Sequence, residues 1–189
     1  MKEIRRLIYK LSPERIYKEV VSGRFIKTFP KGYWTEEDAK EKAAVVTRYM
    51  IEQRLQWNEK DIKRKITKVV FEVNKLDGML HQLFGNSPYK AIDNAYPGKY
   101  KQWELKSVPN NFWTIETTAE ATRWLIEEKL KWTEEDVKEK YCINIFIDND
   151  LLGMTHNMFN NILFDVLDNA YPGKYKPEDI RNYNHYKVY

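Results

Sequence analysis

The nine residues DNAYPGKYK stand at positions 93–101 and return at 168–176, an offset of 75 residues. At that offset Thr47–Lys101 aligns with Thr122–Lys176, and 27 of the 55 positions are identical. Identity at that level marks an internal duplication, so the chain is constrained to build one unit twice. Upstream, IKTFPKGYWT (26–35) parallels LKSVPNNFWT (105–114) after a four-residue gap. Trp34 and Trp57 lie 23 residues apart, Trp113 and Trp132 only 19. The difference predicts that the second copy lacks about one helical turn. The expected boundaries are a basic N-terminal helix and linker over 1–32, repeats over 33–104 and 105–178, and a tail over 179–189.

Each copy reads as helical. Thr35 before Glu36, Glu37 and Asp38 has the form of an N-cap followed by first-turn acids. Asn58 with Asp61, and Thr133 with Asp136, predict the start of a second helix in each copy. Ile62, Ile66, Val69, Val70 and Val73 fall at spacings of three and four, which predicts one buried face along that helix. Two shorter helices are expected near Leu76–Phe84 and Pro88–Ala95, with a turn at Asp77-Gly78. Ser12-Pro13-Glu14 opens an N-terminal helix that Gly23 closes. No run alternates strictly over strand length. The expected fold is all-α: an N-terminal helix followed by two tandem four-helix repeats with helix-turn-helix-like character.

Within the nonapeptide, Tyr96 precedes proline and is pushed out of helical geometry. Pro97-Gly98 fits the central positions of a type II turn, proline presetting φ and glycine supplying φ > 0. Tyr96 and Tyr100, with Tyr171 and Tyr175, are expected to pack back on their own repeat. The alternative is an exposed finger of Lys99, Tyr100 and Lys101 that meets phosphates. Asp93 and Asp168 oppose the dipole of a helix C-terminus, so each is expected to accept a hydrogen bond from a nearby tyrosine or lysine.

Several function classes are disfavoured. No run approaches the ~18 apolar residues of a membrane span, and no signal peptide opens the chain. The one cysteine, Cys142, cannot form an internal disulfide; it aligns with Thr67 in an apolar stretch and reads as a small buried side chain. His81 and His156 recur without neighbours at ligand spacing, as helix-face or partly buried residues. No glycine-rich phosphate loop, nucleophile elbow or HExxH occurs. The expectation is a cytoplasmic, non-catalytic protein with no cofactor and no metal.

The quoted repeat, W-T-E-E…L-x-W…D-I…L-x-G-M-L…S-P-Y-K-A-I-D-N-A-Y-P-G-K-Y-K, resembles an uncharacterised bacterial family built from tandem copies of this unit, over roughly residues 12–178. That resemblance implies no assigned activity. Phe84–Ala95, F-x-N-S-P-Y-x-A-I-x-x-A, is also similar to the helical repeats appended to homing endonucleases, which are thought to bind DNA. By that similarity Tyr89 and Lys90 would touch nucleic acid. The second copy departs from it, reading Asn161-Ile162-Leu163-Phe164-Asp165 where the first reads Asn86-Ser87-Pro88-Tyr89-Lys90.

Charge gives the sharper signal. Residues 1–32 carry +6, residues 33–111 +3 and residues 112–189 −5. At 100° per residue Lys60, Arg64 and Lys68 form a stripe opposite the apolar face of the second helix, with Lys63 at the core border. Such a stripe can follow a phosphate backbone. Lys90, Lys99 and Lys101 add to it, as do Arg5 and Arg6 in the basic front. In the second copy the stripe reads Glu135, Glu139 and Ile143. The expected partner is therefore nucleic acid, duplex DNA before RNA, met by the first repeat alone. The alternative is a protein-binding adaptor or inhibitor of the kind carried by a phage or other mobile element, gripping its partner with Tyr33, Trp103 or the terminal aromatics. The opposite faces also permit a homo-oligomer, basic repeat to acidic repeat.

Overall fold

The computed structural model describes residues 11–106 and 108–181. Arg5 and Arg6, and the terminal aromatics from residue 182 onward, lie outside the described residues. The fold is all-α, with eleven α-helices and no strand among the described residues. It divides into two compact units, Met1–Ser107 and Val108–Tyr189.

In the first unit, α1 (Pro13–Ser22) starts on Ser12, whose hydroxyl accepts from the Arg15 amide, and ends on Gly23 at φ 64°. Its apolar face, Ile16, Tyr17 and Val20, is buried in the core of the unit. The Tyr17 hydroxyl donates to the Asn74 carbonyl at 3.1 Å. Helix α1 is thus part of the first unit's core. Helix α2 (Ala39–Arg48) runs directly into a π-helical turn, Tyr49–Arg54, and the chain leaves through Gln56 at φ 53°. Helices α3 (Glu59–Lys65), α4 (Lys68–Val73), α5 (Asp77–Phe84) and α6 (Pro88–Ala95) follow.

The second unit repeats this plan with α7 (Ile115–Arg123), a π-helical turn at Trp124–Lys129, α8 (Glu134–Lys140), α9 (Ile143–Ile147), α10 (Leu152–Phe159) and α11 (Leu163–Ala170). Left-handed residues recur in register: Gln56 with Lys131, Lys75 with Asp150, Asn86 with Asn161, and Gly98 with Gly173. Trp57 and Trp132, both half-buried, each donate a backbone N–H to the sixth residue back, Ile51 and Ile126. The two copies share one backbone.

Five local expectations change. The second helix of each copy is two helices. Ile66 (ψ 123°) and Thr67 (φ −147°) are extended between α3 and α4, as is the Tyr141–Cys142 pair between α8 and α9. β-branched Ile66 and Thr67 favour extended backbone, and the bend drives Ile66 and Tyr141 into their cores. It also rotates α4, so that Phe71 is buried while Val69 and Val73 stand 59% and 66% exposed. The shorter second copy has not lost a helical turn: α2 spans 10 residues and α7 spans 9. Thr35 does not cap α2. It sits in a turn, its hydroxyl on the Gly32 carbonyl, and the extra residues form a loop pinned by Lys42 on Glu36 and Asp38. In the second copy Thr114 caps α7 directly, in a box with Thr117. Asp77-Gly78 is not a turn; the turn is Asn74–Leu76, and Gly78 lies inside α5. Cys142 is half-buried at the N-cap of α9.

Because Tyr17 fills the core and ties α1 to the α4–α5 turn, Tyr17→Ala is expected to lower the stability of the first unit by about 3 kcal/mol or more. Tyr17→Phe, which loses only the hydrogen bond, should cost ~1 kcal/mol. Urea unfolding of both variants checks this, and equal losses would contradict it.

Candidate nucleic-acid interface

Helix α3 carries most of the proposed stripe. Asn58 and Asp61 close a capping box at its start, the Asn58 side chain on the Asp61 amide at 3.0 Å and the Asp61 carboxylate on the Asn58 amide at 3.3 Å. One turn later the helix is laced by i,i+4 pairs, Lys63–Glu59 at 2.7 Å and Lys65–Asp61 at 2.7 Å. These contacts decide which cations are available.

Lys63 is committed. Its ammonium also meets Glu104 at 2.9 Å, a carboxylate only 9% exposed on the turn Gln102–Glu104. Burial by itself would lower the Lys63 pKa, but hydrogen bonds to Glu59 and Glu104 outweigh it and hold the group above its ordinary value. The Glu59 carboxyl is correspondingly held low, first by its hydrogen bond to Lys63. Lys60 and Arg64 are exposed, and neither has an ion pair among the described residues. Lys68 begins α4 across the bend and meets Glu72 at 3.6 Å, both ends half in water. The stripe is thus not one straight face: Lys60 and Arg64 share α3, and Lys68 belongs to the next helix.

The nonapeptide is a clasp. Tyr96 donates its hydroxyl to Glu52 at 2.8 Å, and Tyr171 to Glu127 at 2.8 Å. Burial, then that carboxylate, pushes both phenols well above their ordinary range. Tyr100 and Tyr175 are buried and meet Tyr96 and Tyr171 edge-on. Lys99 lies over Tyr96 and Tyr100 and reaches Glu59 at 3.9 Å; Lys174 does the same over Tyr171 and Tyr175, toward Glu134 at 3.4 Å. Lys101 gives its amide to Glu104. Of the finger residues, Tyr100 is internal and Lys99 is engaged. Tyr33 is buried against Phe29 and Trp34, and Trp103 is half-buried. Asp93 accepts its hydrogen bond from the Gly98 amide at 3.0 Å, and Asp168 from Gly173 at 2.9 Å, not from a tyrosine or lysine. The left-handed glycine turns its own N–H back to the acid (φ 68° in both), a geometry that residue spacing alone does not reveal.

On α6, Ser87 caps the Lys90 amide, Tyr89 packs half-buried against the core, and Lys90 is exposed. His81 and His156 are exposed on α5 and α10, each with an asparagine five residues on, Asn86 and Asn161, at Nδ1. In the second unit Glu135 meets Lys138 at 3.2 Å and Glu139 meets Arg181 at 2.7 Å. No helix of the described residues is long and apolar enough to cross a membrane.

These features define an all-α tandem-repeat protein whose two copies keep one internal framework under opposite surface charge. The family described as "protein of unknown function (DUF4046)" matches residues 14–101 and again residues 100–176, and the chain belongs to it as two tandem copies. No curated protein and no solved structure matches the chain.

If Asp93 serves to lock the turn, Asp93→Ala leaves the exposed Gly98 amide to water alone and should lower first-unit stability by about 1 kcal/mol. Asp93→Asn keeps an acceptor and should retain most of it. A thermal melt of each variant decides, and an Asp93→Ala protein as stable as wild type would remove the clasp.

Proposed function

We propose that the protein is a non-catalytic nucleic-acid-binding helical repeat, with duplex DNA as the preferred form, and that the first unit makes the contact. The carrying observation is that Lys60 and Arg64 stand exposed on α3 with no ion pair among the described residues, where the second copy places Glu135 and Glu139. Whole-unit charge follows the same direction: residues 1–107 hold 23 Lys/Arg against 14 Asp/Glu, a net +9, and residues 108–189 hold 9 against 14, a net −5. A positive face on a rigid helix gains its affinity from releasing counterions condensed on the phosphates. Lys90 adds a further exposed cation, and Lys68 one whose 3.6 Å pair with Glu72 is readily exchanged for a phosphate.

Full-length protein should bind a random duplex at low salt, with affinity falling steeply as salt rises. Replacing two phosphate-contacting cations, Lys60→Gln with Arg64→Gln, should reduce the slope of log K against log salt by about 2 and weaken binding about tenfold at low salt. Fluorescence anisotropy over a salt series measures both. An unchanged slope would rule out α3 as the contact.

A second reading, a protein partner, is favoured by Val69 and Val73, which stand on the outer side of α4. Two exposed aliphatic residues one turn apart suit a hydrophobic contact. In that reading Val69→Asp with Val73→Asp removes a nuclease-resistant complex, whereas in the first it leaves duplex binding in place.

A further inference from the structure

Between the 27–34 loop and the start of α5 the first unit holds a pocket of ≈ 300 Å³, at the small end of the range that ligand sites occupy. Lys27, Lys31 and Lys75 line it, together with one acidic residue, Asp77. All three lysines are exposed, and none has an ion pair among the described residues. Elsewhere in the unit lysines near acids are paired, as Lys42, Lys63 and Lys65 are. Three cations against one carboxylate leave the concavity with an excess of positive charge, and such a cleft concentrates anions.

Two backbone features bear on the same place. Lys75 holds φ 63°, a left-handed conformation that aspartate and asparagine adopt more readily than lysine. The second copy has Asp150 there, at φ 59°. Lysine is therefore the harder choice for the backbone at a position that points charge to the pocket. Gly78 also lines the pocket, inside a helix, with no positive φ and nothing within 4 Å of where a Cβ would stand. Neither conformation nor packing within the chain calls for glycine there, and glycine weakens a helix relative to alanine. An unobstructed backbone is what close approach by a ligand needs. Gly153 keeps the opening in the second copy, but Asn110 and Asp150 replace Lys31 and Lys75 there.

We propose that this pocket binds a phosphomonoester, its phosphate held by Lys27, Lys31 and Lys75. The Phe29 and Pro30 side of the pocket gives an apolar surface for the remainder of the ligand, and Thr28 and Gln82 supply hydrogen-bonding groups. Asp77 accepts from a hydroxyl, which favours a sugar phosphate over a bare polyanion. A free nucleotide and the 5′-phosphate end of a strand present this chemistry equally. The site is separate from the α3 contact and stands without it.

The test uses the full chain, with adenosine 5′-monophosphate as one probe and a 5′-phosphorylated single strand beside its 5′-hydroxyl twin as the other. The double variant Lys31→Asn with Lys75→Asp carries the residues of the second copy, which folds with them; Lys75→Asn alone provides a milder change at the same left-handed position. Isothermal titration should show wild type binding adenosine 5′-monophosphate, or preferring the phosphorylated strand over its twin. Either result supports the site and identifies its source. The double variant should bind at least ~10-fold more weakly, Lys75→Asn should fall between, and Lys60→Gln with Arg64→Gln should match wild type. The pocket is ruled out if neither probe binds, if there is no preference for the terminal phosphate and no nucleotide binding, or if the double variant binds as wild type does. Loss in the α3 variant equal to that in the pocket variant would overturn it too, while leaving the α3 contact standing.

Discussion

Each repeat depends on how the C-terminal end of its last helix is held. The final carbonyls of a helix have no intrahelical donor and carry the negative end of its dipole. In the first copy the Arg48 guanidinium donates to the Ala95 carbonyl at 2.8 Å, and in the second Arg123 donates to Ala170 at 2.9 Å. Asn94 returns a hydrogen bond to the Lys40 carbonyl and Asn169 to Ile115, both at 2.9 Å. Tyr96 and Tyr171 reach the π-helical turn at Glu52 and Glu127. Three side chains thereby fasten the last helix to the first helix of the repeat. The Pro-Gly turn then folds back onto the aspartate one turn up the helix. Each side chain that makes this clasp is identical in the two copies, and each one has its partner inside the same copy.

A framework held from within leaves its outside free to vary. Lys60 and Arg64 face Glu135 and Glu139 across the alignment, yet α3 and α8 keep the same capping box and the same 2.6–2.7 Å pair between Lys65 or Lys140 and the capping aspartate. Changing exposed residues between such fixed points costs little stability, since exposed charges contribute weakly to it. The route from sequence to function therefore runs through the exterior. Two copies of one scaffold with net charges of +9 and −5 cannot offer the same surface to a polyanion. Only the basic copy suits it.

How much of this the amino-acid order disclosed depends on the range of the interactions involved. Caps, the duplication and the Pro-Gly turn are local, and Ser12, Asn58 and Thr133 all read correctly as helix starts. The bend at Ile66–Thr67 was hidden because Ile62, Ile66, Val69, Val70 and Val73 satisfy helical spacing whether or not the helix is continuous. The backbone turns there to bury Ile66, a tertiary gain that overrides periodicity. The π-helical turns left no mark in the pattern either. They arise where Met50 and Ile51, or Leu125 and Ile126, are both buried although adjacent in sequence. Thr35 looked like a cap because Thr-Glu-Glu-Asp has the right composition, yet Tyr33 and Trp34 anchor the chain before the helix can begin. Of the candidate contacts, exposure of Lys60 and Arg64 was legible from helical phase. The capture of Lys63 by Glu104 was not, because it joins residues 41 apart in the chain.

That capture also decides which cations a polyanion can use. Lys68 and Glu72 are both about half exposed at 3.6 Å, so water and salt already compete for them, and a phosphate can take the lysine at little cost. Lys63 cannot be released on the same terms. Drawing it away would leave Glu104, 9% exposed, as a nearly buried carboxylate without its counter-charge, and an orphaned buried charge costs far more than an exposed pair yields. Lys99 is an intermediate case: its 3.9 Å contact with Glu59 is loose, but two tyrosine rings lie under its ammonium. The face open to the proposed contact is therefore narrower than the unit's +9 implies. Its cations sort by what their departure would leave behind, which places Lys60, Arg64 and Lys90 foremost, Lys68 next, and Lys63 inside the scaffold.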